Sequence, residues 1–298
     1  MHSKNTIEIV FLCSNMSLFI TSLNSGSNGN CYYIGNDTEA VLIDAGISCR
    51  ETEKRMQLLG LSMKLVKAIF ISHEHTDHIK GLPAIAEKYN LDIYITGKTM
   101  LNSGMTVSKQ QEKSFSAYQP VNIGSLAVTA FPKYHDAADP HSFIIRFRNI
   151  CIGVFTDIGA PCKHVLKHFS LCHAAFLEAN YDESLLDNGR YPYFLKKRIR
   201  GGQGHLSNHQ ALEIFKAHRP PFMTHLLLSH LSRDNNDPQL VQRLFEEAAT
   251  GVNIIIASRD VHTPVFQITQ DTSINNSRRF SYFAKDKRKS DAQLSLFA

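Results

Sequence analysis

The sequence His73-Glu74-His75-Thr76-Asp77-His78 decides the fold and the chemistry that we expect of this chain. The apolar run at 66–71 before it is typical of a buried strand, and the run at 79–86 after it indicates a helix. Imidazole and carboxylate groups together suit Zn, Mn or Fe. Four such ligands within six residues cannot all reach one ion with good geometry. The spacing therefore favours two ions, with His73 and His75 on the first and Asp77 and His78 on the second; a His-rich polar loop without metal is the alternative.

Further polar residues occur where other predicted strands end. Because Asp occupies position 77, the motif is not the H-E-x-x-H pattern of zinc proteases. Strand ends in a layered α/β domain can converge on one edge of the sheets, so these residues are expected to meet. Each single His could equally be a surface or core residue, but the repeated placement indicates a common site. The residues outside the hexapeptide are Asp44, His135, Asp157 and His230.

Composition limits the class of protein. The chain has 298 residues, of which 43% are hydrophobic, enough for one large domain or two small ones. No apolar run approaches the roughly 20 residues that a membrane helix needs. The apolar patch at 9–13 lacks a basic leader and a cleavage site, and the six cysteines form no C-x-x-C pair. We expect a cytoplasmic protein without a zinc knuckle or a disulfide framework.

The hexapeptide resembles the H-x-H-x-D-H signature of the metallo-β-lactamase superfamily. The resemblance implies an α/β fold, an αββα four-layer sandwich, over residues 16–270, with two divalent ions (Zn or Mn, with Fe as an alternative). It also implies a role for each candidate ligand. The first ion would be held by His73, His75 and His135, the second by Asp77, His78 and His230, with Asp157 bridging both and Asp44 supporting the ligand loop from behind.

A finer resemblance is to the YycJ-like (WalJ-like) group of bacterial exonucleases. It rests on the sequences at 22–30, 135–137, 178–182, 204–208 and 230–236. The resemblance implies a phosphodiesterase, specifically a 5′→3′ DNA exonuclease linked to replication or mismatch repair. One alternative is an RNase, or a hydrolase of small esters or cyclic phosphates, with the same fold. The other is a non-enzymatic adaptor that is bound to the sliding clamp and has only a structural metal site.

We predict Asp77 and His205 as catalytic residues. His205 would donate a proton to the leaving oxygen or contact a phosphate; alternatively it only caps the helix that starts near Ser207. A run of four cations precedes it and would attract a nucleic-acid backbone, unless it is simply a solvated helix face. These cations are Lys196, Lys197, Arg198 and Arg200.

The C-terminal segment differs in composition from the rest of the chain. Residues 271–298 contain six basic and three acidic residues, so they carry +3 of the formal +5, and 271–291 is predicted to be disordered. The chain ends in a sequence that resembles the Q-L-[S/D]-L-F peptide with which bacterial replication and repair proteins bind the sliding clamp. Its predicted contact residues are Gln293, Leu294, Leu296 and Phe297.

Overall fold

The computed structural model describes residues 17–270. The N-terminal segment 1–15, the segment 271–298 and the predicted clamp-binding residues Gln293, Leu294, Leu296 and Phe297 lie outside the described residues. Within 17–270, no helix is long and apolar enough to cross a membrane.

Fourteen strands of the described chain form two seven-stranded mixed sheets. The first sheet has the order β14-β1-β2-β3-β4-β5-β6. These strands are β14 Phe266–Ile268, β1 Leu18–Asn24, β2 Cys31–Gly35, β3 Ala40–Ile43, β4 Val66–Phe70, β5 Asp92–Tyr94 and β6 Glu112–Lys113. The second sheet has the order β13-β12-β11-β10-β9-β8-β7. These strands are β13 Asn253–Ile256, β12 His225–Ser229, β11 Ala174–Glu178, β10 Ile150–Phe155, β9 His141–Phe147, β8 Leu126–Pro132 and β7 Pro120–Ile123.

Several helices cover the outer faces of the two sheets. Within the described residues the helices are α1 Cys49–Leu58, α2 Thr76–Ile79, α3 Leu82–Tyr89, α4 Gly97–Ser103, α5 Lys163–Phe169, α6 Glu183–Asn188, α7 Tyr193–Arg200, α8 Asn208–His218 and α9 Pro238–Glu246, with a short 3-10 helix at Met63–Leu65. Helices α1 and α3 pack on the first sheet, and α5, α8 and α9 pack on the second.

One apolar core lies between the sheets. It joins Tyr32 and Phe70 of the first sheet to Phe143 and Phe176 of the second, all essentially buried. The strands at the centre of each sheet are buried on both faces, which explains why β10 and β11 are continuous apolar runs rather than alternating ones. The predicted αββα sandwich is therefore confirmed.

The predicted helix after the metal motif is two helices. Helix α2 ends at Ile79 and α3 begins at Leu82. Between them the backbone N–H of Gly81 donates to the carbonyl of Ala45, and Pro83 lies in the first turn of α3, where its missing N–H costs no helical hydrogen bond. The break holds the metal motif against the loop that follows β3.

Three candidate site residues at strand ends adopt left-handed backbone conformations. Asp44 follows β3 with φ of 60°, Asp157 follows β10 with φ of 54°, and His230 follows β12 with φ of 56°. This region favours glycine, so a side chain there is held under strain by its surroundings. All three residues face one edge of the two sheets, where their side chains come together.

Candidate metal centre

The loop that carries the metal motif is fixed by backbone and side-chain contacts. Asp44 accepts hydrogen bonds from the backbone N–H of Ser72 at 2.8 Å and from its hydroxyl at 2.9 Å. The same carboxylate lies 2.7 Å from Nδ1 of His78. Asp44 is fully buried, so these contacts set the orientation of the His78 ring and leave its Nε2 directed into the site.

The turn at 25–30 supports the motif from the other side. Asn30 donates its backbone N–H to the carbonyl of Asp77 at 2.7 Å, and its side chain lies 3.1 Å from Oδ2 of the same residue. A Cβ at Gly46 would lie 1.6 Å from that carbonyl, so only glycine allows this close approach. Ser25 accepts a hydrogen bond from the backbone N–H of His230 at 2.8 Å.

His73, His75 and His135 form one group of ring nitrogens. Nδ1 of His75 lies 3.1 Å from Nε2 of His73 and 3.3 Å from Nε2 of His135. Two imidazole nitrogens bound at about 2.0–2.1 Å to a tetrahedral ion would lie about 3.3 Å apart. The three nitrogens therefore have a spacing that one metal ion can occupy.

Asp77, His78 and His230 form a second group. Oδ2 of Asp77 lies 3.5 Å from Nε2 of His78 and 3.5 Å from Nε2 of His230. Asp157 lies between the two groups: its Oδ2 is 3.0 Å from Nε2 of His78, and its Oδ1 is 4.0 Å from Nε2 of His135. The structure thus brings the seven predicted ligands to one place, although they come from strands of both sheets.

Two unpartnered atoms show that these residues fit metal ions. Oδ2 of Asp157 and Nε2 of His230 are inaccessible to solvent and have no hydrogen-bond partner among residues 17–270. The 3.0 Å approach of His78 to Oδ2 of Asp157 is close enough for an ion pair but does not satisfy the directional requirement of a hydrogen bond. Buried polar atoms without partners are costly, and divalent ions held by N and O ligands would remove that cost.

The charges of the group are strongly interdependent. Burial lowers the pKa of His230, but the negative charge of Asp157 and the nearby carboxylates of Asp77 and Glu178 outweigh it and raise that pKa to about 10. Burial favours the protonated form of Asp157, but the charges of His230 and His78 hold its pKa well below the usual value. Without metal, protons on His78 and His230, whose pKa values are both raised, therefore balance the buried carboxylates.

Glu178 is a site residue for which the sequence indicated no role. Oε1 of this buried carboxylate lies 2.7 Å from Nδ1 of His205 and 3.1 Å from Nδ1 of His230. Its Oε2 accepts from the backbone N–H groups of Ile158 and Leu206. One signal was available in the sequence. Glu178 is the last residue of the apolar strand β11, and several other site residues likewise lie just after the end of a strand.

His205 lies at the accessible side of the site. Its side chain is 22% exposed, and its Nδ1 is 3.6 Å from Oδ1 of Asp157. The alternative role as a helix cap is wrong, because Ser207 caps α8 through a reciprocal capping box with Gln210. His205 is thus free to present its Nε2 to a substrate.

The predicted basic run forms most of α7, and its four cations differ in their contacts. Nε of Arg198 lies 2.5 Å from Oδ2 of Asp136, next to the candidate ligand His135. Arg200 pairs with Asp187. Lys196 and Lys197 form no ion pair within the described part of the chain. Nζ of Lys196 does donate to the backbone carbonyl of Asp187 at 2.8 Å, so three of the four cations are engaged, and Lys197 has no such contact in the described part of the chain.

Comparison with known proteins identifies the family. Residues 25–150 match the model of the metallo-beta-lactamase superfamily. The chain is 34% identical over 244 residues to an exodeoxyribonuclease YycJ of Bacillus anthracis, covering 80% of this chain and 92% of the relative. It is 30% identical over 259 residues to an exodeoxyribonuclease WalJ of Streptococcus pneumoniae, covering 83% and 96%.

Solved structures agree on the fold. The metallo-beta-lactamase fold protein YhfI of Bacillus subtilis superposes with a TM-score of 0.65 at 16% identity, covering 84% of this chain and 99% of that one. At this identity the likeness concerns the fold alone. Together with the near full-length match to the curated relatives, these findings show that the chain belongs to the YycJ/WalJ-like group of metallo-β-lactamase-fold hydrolases.

Proposed function

We propose that the protein is a dinuclear metal-dependent phosphodiesterase that digests DNA from the 5′ end, with residues 16–270 as its catalytic domain. The observation that carries the proposal is the position of Asp157 between two separate groups of candidate ligands, beside a partly exposed His205. The names of the two relatives, both exodeoxyribonucleases, support DNA as the substrate. The 5′→3′ direction and a setting in replication or mismatch repair rest on the family resemblance.

The metal ligands in this proposal are His73, His75, Asp77, His78, His135, Asp157 and His230. When bound, divalent ions lower the pKa of a bound water to about 7 and stabilise charge on phosphoryl oxygens. The chain itself orients the ligands: Asp44 fixes the His78 ring, and Glu178 fixes the His230 ring. Asp77 is both a ligand and a catalytic residue in this proposal.

His205 supplies the proton for the leaving oxygen. Its Nδ1 faces Glu178, so Nε2 is the nitrogen that can reach a substrate. Although burial raises the pKa of Glu178, the charge of His205 and hydrogen bonds from His205 and His230 lower it to about 2. Glu178 therefore stays ionised at neutral pH and holds the His205 ring in one orientation.

The test is a nuclease assay with purified protein and added Mn²⁺ or Zn²⁺. Single- and double-stranded DNA and matched RNA, labelled at either end, are compared. We expect stepwise loss of nucleotides from the 5′ end of DNA, and no loss with the Asp157→Ala variant. Preferential digestion of RNA, or no cleavage of DNA with any metal, would contradict the proposal and favour the RNase or small-ester alternative.

A further inference from the structure

Helix α7 is joined directly to the candidate metal centre. Beyond the ion pair of Arg198 with Asp136, the carbonyl of Ile199 accepts from the backbone N–H of His205 at 2.8 Å. The loop after the helix reaches the site too, since the carbonyl of Gly204 lies 3.0 Å from Nδ1 of His135. Tyr193 is five residues before Arg198, so it lies about 8 Å further out along the helix axis.

The outer end of α7 exposes two large aromatic rings. Tyr193 is 80% exposed and Phe194 is 73% exposed, and none of the residues of α7 is buried. Adjacent aromatic side chains usually bury most of their surface in a core or an interface. The helix contributes nothing to either described outer core, so packing within residues 17–270 does not explain these rings.

Basic side chains accompany the rings. Lys196 and Lys197 follow Tyr193 by three and four residues, so all three share one face of the helix. This face borders a cavity of about 250 Å³, lined by Asp187, Tyr193, Lys196, Lys197 and Arg200. Three cations and one carboxylate give the lining a charge of +2. Neither ammonium group is paired with a carboxylate in the described part of the chain, although Nζ of Lys196 donates to the carbonyl of Asp187 at 2.8 Å. An exposed aromatic ring beside such ammonium groups suits a nucleotide.

We propose that α7 carries a subsite for single-stranded DNA outside the cleavage site. Tyr193 and Phe194 stack on bases, and Lys196 and Lys197 contact phosphates. Bases are accessible to such stacking only in an unpaired strand, so the subsite selects single-stranded ends and guides them toward the metal centre. The inference rests on the proposed function and specifies the form of substrate that the same site takes.

A second copy of this chain is the other candidate occupant, and the charge argues against it. A symmetric dimer brings the same surface of two molecules together. Two cavity linings, each with a net charge of +2, would then face each other, and their repulsion opposes association. A polyanion, in contrast, is attracted to this face.

The test compares the wild type with Tyr193→Ala and Phe194→Ala. Two readouts are the kcat/KM for a single-stranded oligonucleotide and the affinity of the metal-loaded protein for a fluorescent, nuclease-resistant phosphorothioate strand. We expect each alanine variant to lower both by at least about five-fold. Tyr193→Phe, which keeps a stacking ring, should restore them. Hydrolysis of bis(p-nitrophenyl) phosphate, which is too small to reach α7, should be unchanged.

Controls separate the subsite from other effects. Leu58→Ala removes another exposed apolar side chain, at the end of α1, and should have no effect. Lys196→Gln and Lys197→Gln should each make the salt dependence of binding shallower by about 0.7 in the logarithmic slope. These variants keep the charged pairs of Arg198 and Arg200.

The outcomes distinguish this inference from the proposed function. If the wild type cleaves DNA and the alanine variants behave identically, the subsite is refuted and the proposed function stands. If the wild type binds the phosphorothioate strand through the two rings but cleaves no DNA, the subsite stands and the proposed function fails. Absence of strand binding by the wild type refutes the subsite. Loss of a dimer in the alanine variants, measured by light scattering, would assign the rings to a protein interface instead.

Discussion

Oε1 of Glu178 lies 2.7 Å from Nδ1 of His205, and the carboxylate is fully buried whereas the imidazole is partly exposed. The buried group thus orients the accessible one. The same carboxylate accepts from two backbone N–H groups, so its own position is fixed by the main chain. This relationship links the chemistry proposed for His205 to a strand in the middle of the second sheet.

Glu178→Gln and His205→Ala should therefore impair the same step. General acid–base catalysis typically contributes about 10²–10⁴-fold, so His205→Ala should lower kcat on DNA within that range. The double variant should be no slower than His205→Ala alone, because each change removes the same oriented proton donor. Metal content should be measured in parallel, since Glu178 also contacts His230. Additive losses would show that the two residues act independently.

Asp157→Ala should reduce metal loading as well as turnover. Asp157 lies between both ligand groups, so its loss weakens both. Elemental analysis of the purified protein should show a fall from about two ions per chain to one or fewer. Asp92→Ala, an ion-pair variant at the start of β5, serves as a control. Full activity with unchanged metal content would refute the ligand assignment.

Metal affinity should increase with pH. The pKa of His230 is raised to about 10 without metal, so its ring carries a proton at neutral pH that a metal ion must displace. Binding therefore releases protons, and raising the pH toward 10 strengthens it. Calorimetry in buffers of different ionisation enthalpy measures the number released. A pH-independent affinity with no proton release would contradict this prediction.

Glu39 should stabilise the fold in a pH-dependent way. Burial raises its pKa, but hydrogen bonds from Ser125, Asn36 and Thr38 lower it to about 2. Because the folded-state pKa is depressed, the stabilisation is present above the unfolded pKa of about 4.3 and is lost as the pH falls through about 2. Glu39→Gln should lower the free energy of unfolding at pH 7 by about 1–3 kcal/mol, measured by urea denaturation.

The difference in the free energy of unfolding between the wild type and Glu39→Gln should disappear near pH 2. Ser125, which donates its backbone N–H to Glu39 at 2.9 Å, lies in the turn between β7 and β8, so the carboxylate connects the two sheets. Glu87→Gln, on the exposed face of α3, is a matched control that should change stability little at any pH. A constant difference down to pH 2 would show that the charge of Glu39 is not responsible.

The C-terminal peptide remains a prediction from the sequence. Deleting residues 293–298 should leave cleavage of short oligonucleotides intact and remove binding to a bacterial sliding clamp, measured by surface plasmon resonance. A tethered second contact raises the local concentration of the enzyme at DNA without changing its catalytic site. Unchanged clamp binding after the deletion would refute the role of Gln293, Leu294, Leu296 and Phe297.

The sequence by itself determined the fold class and the place of the site. The apolar run before His73 predicted a buried strand, and the local spacing of the hexapeptide identified the candidate ligands. Strand ends predicted that Asp44, Asp157 and His230 would meet. Such signals are local, because strand periodicity and turn chemistry depend on neighbouring residues.

Only the tertiary structure decided which side chains that are distant in the sequence touch. Glu178 and His205 are 27 positions apart, and Arg198 and Asp136 are 62 positions apart. The Arg198 pair changed the interpretation of the basic run, since it removed one of four cations from the surface available to DNA. Whether a charge is paired, buried or free depends on the packing of distant segments, and no local pattern records that packing.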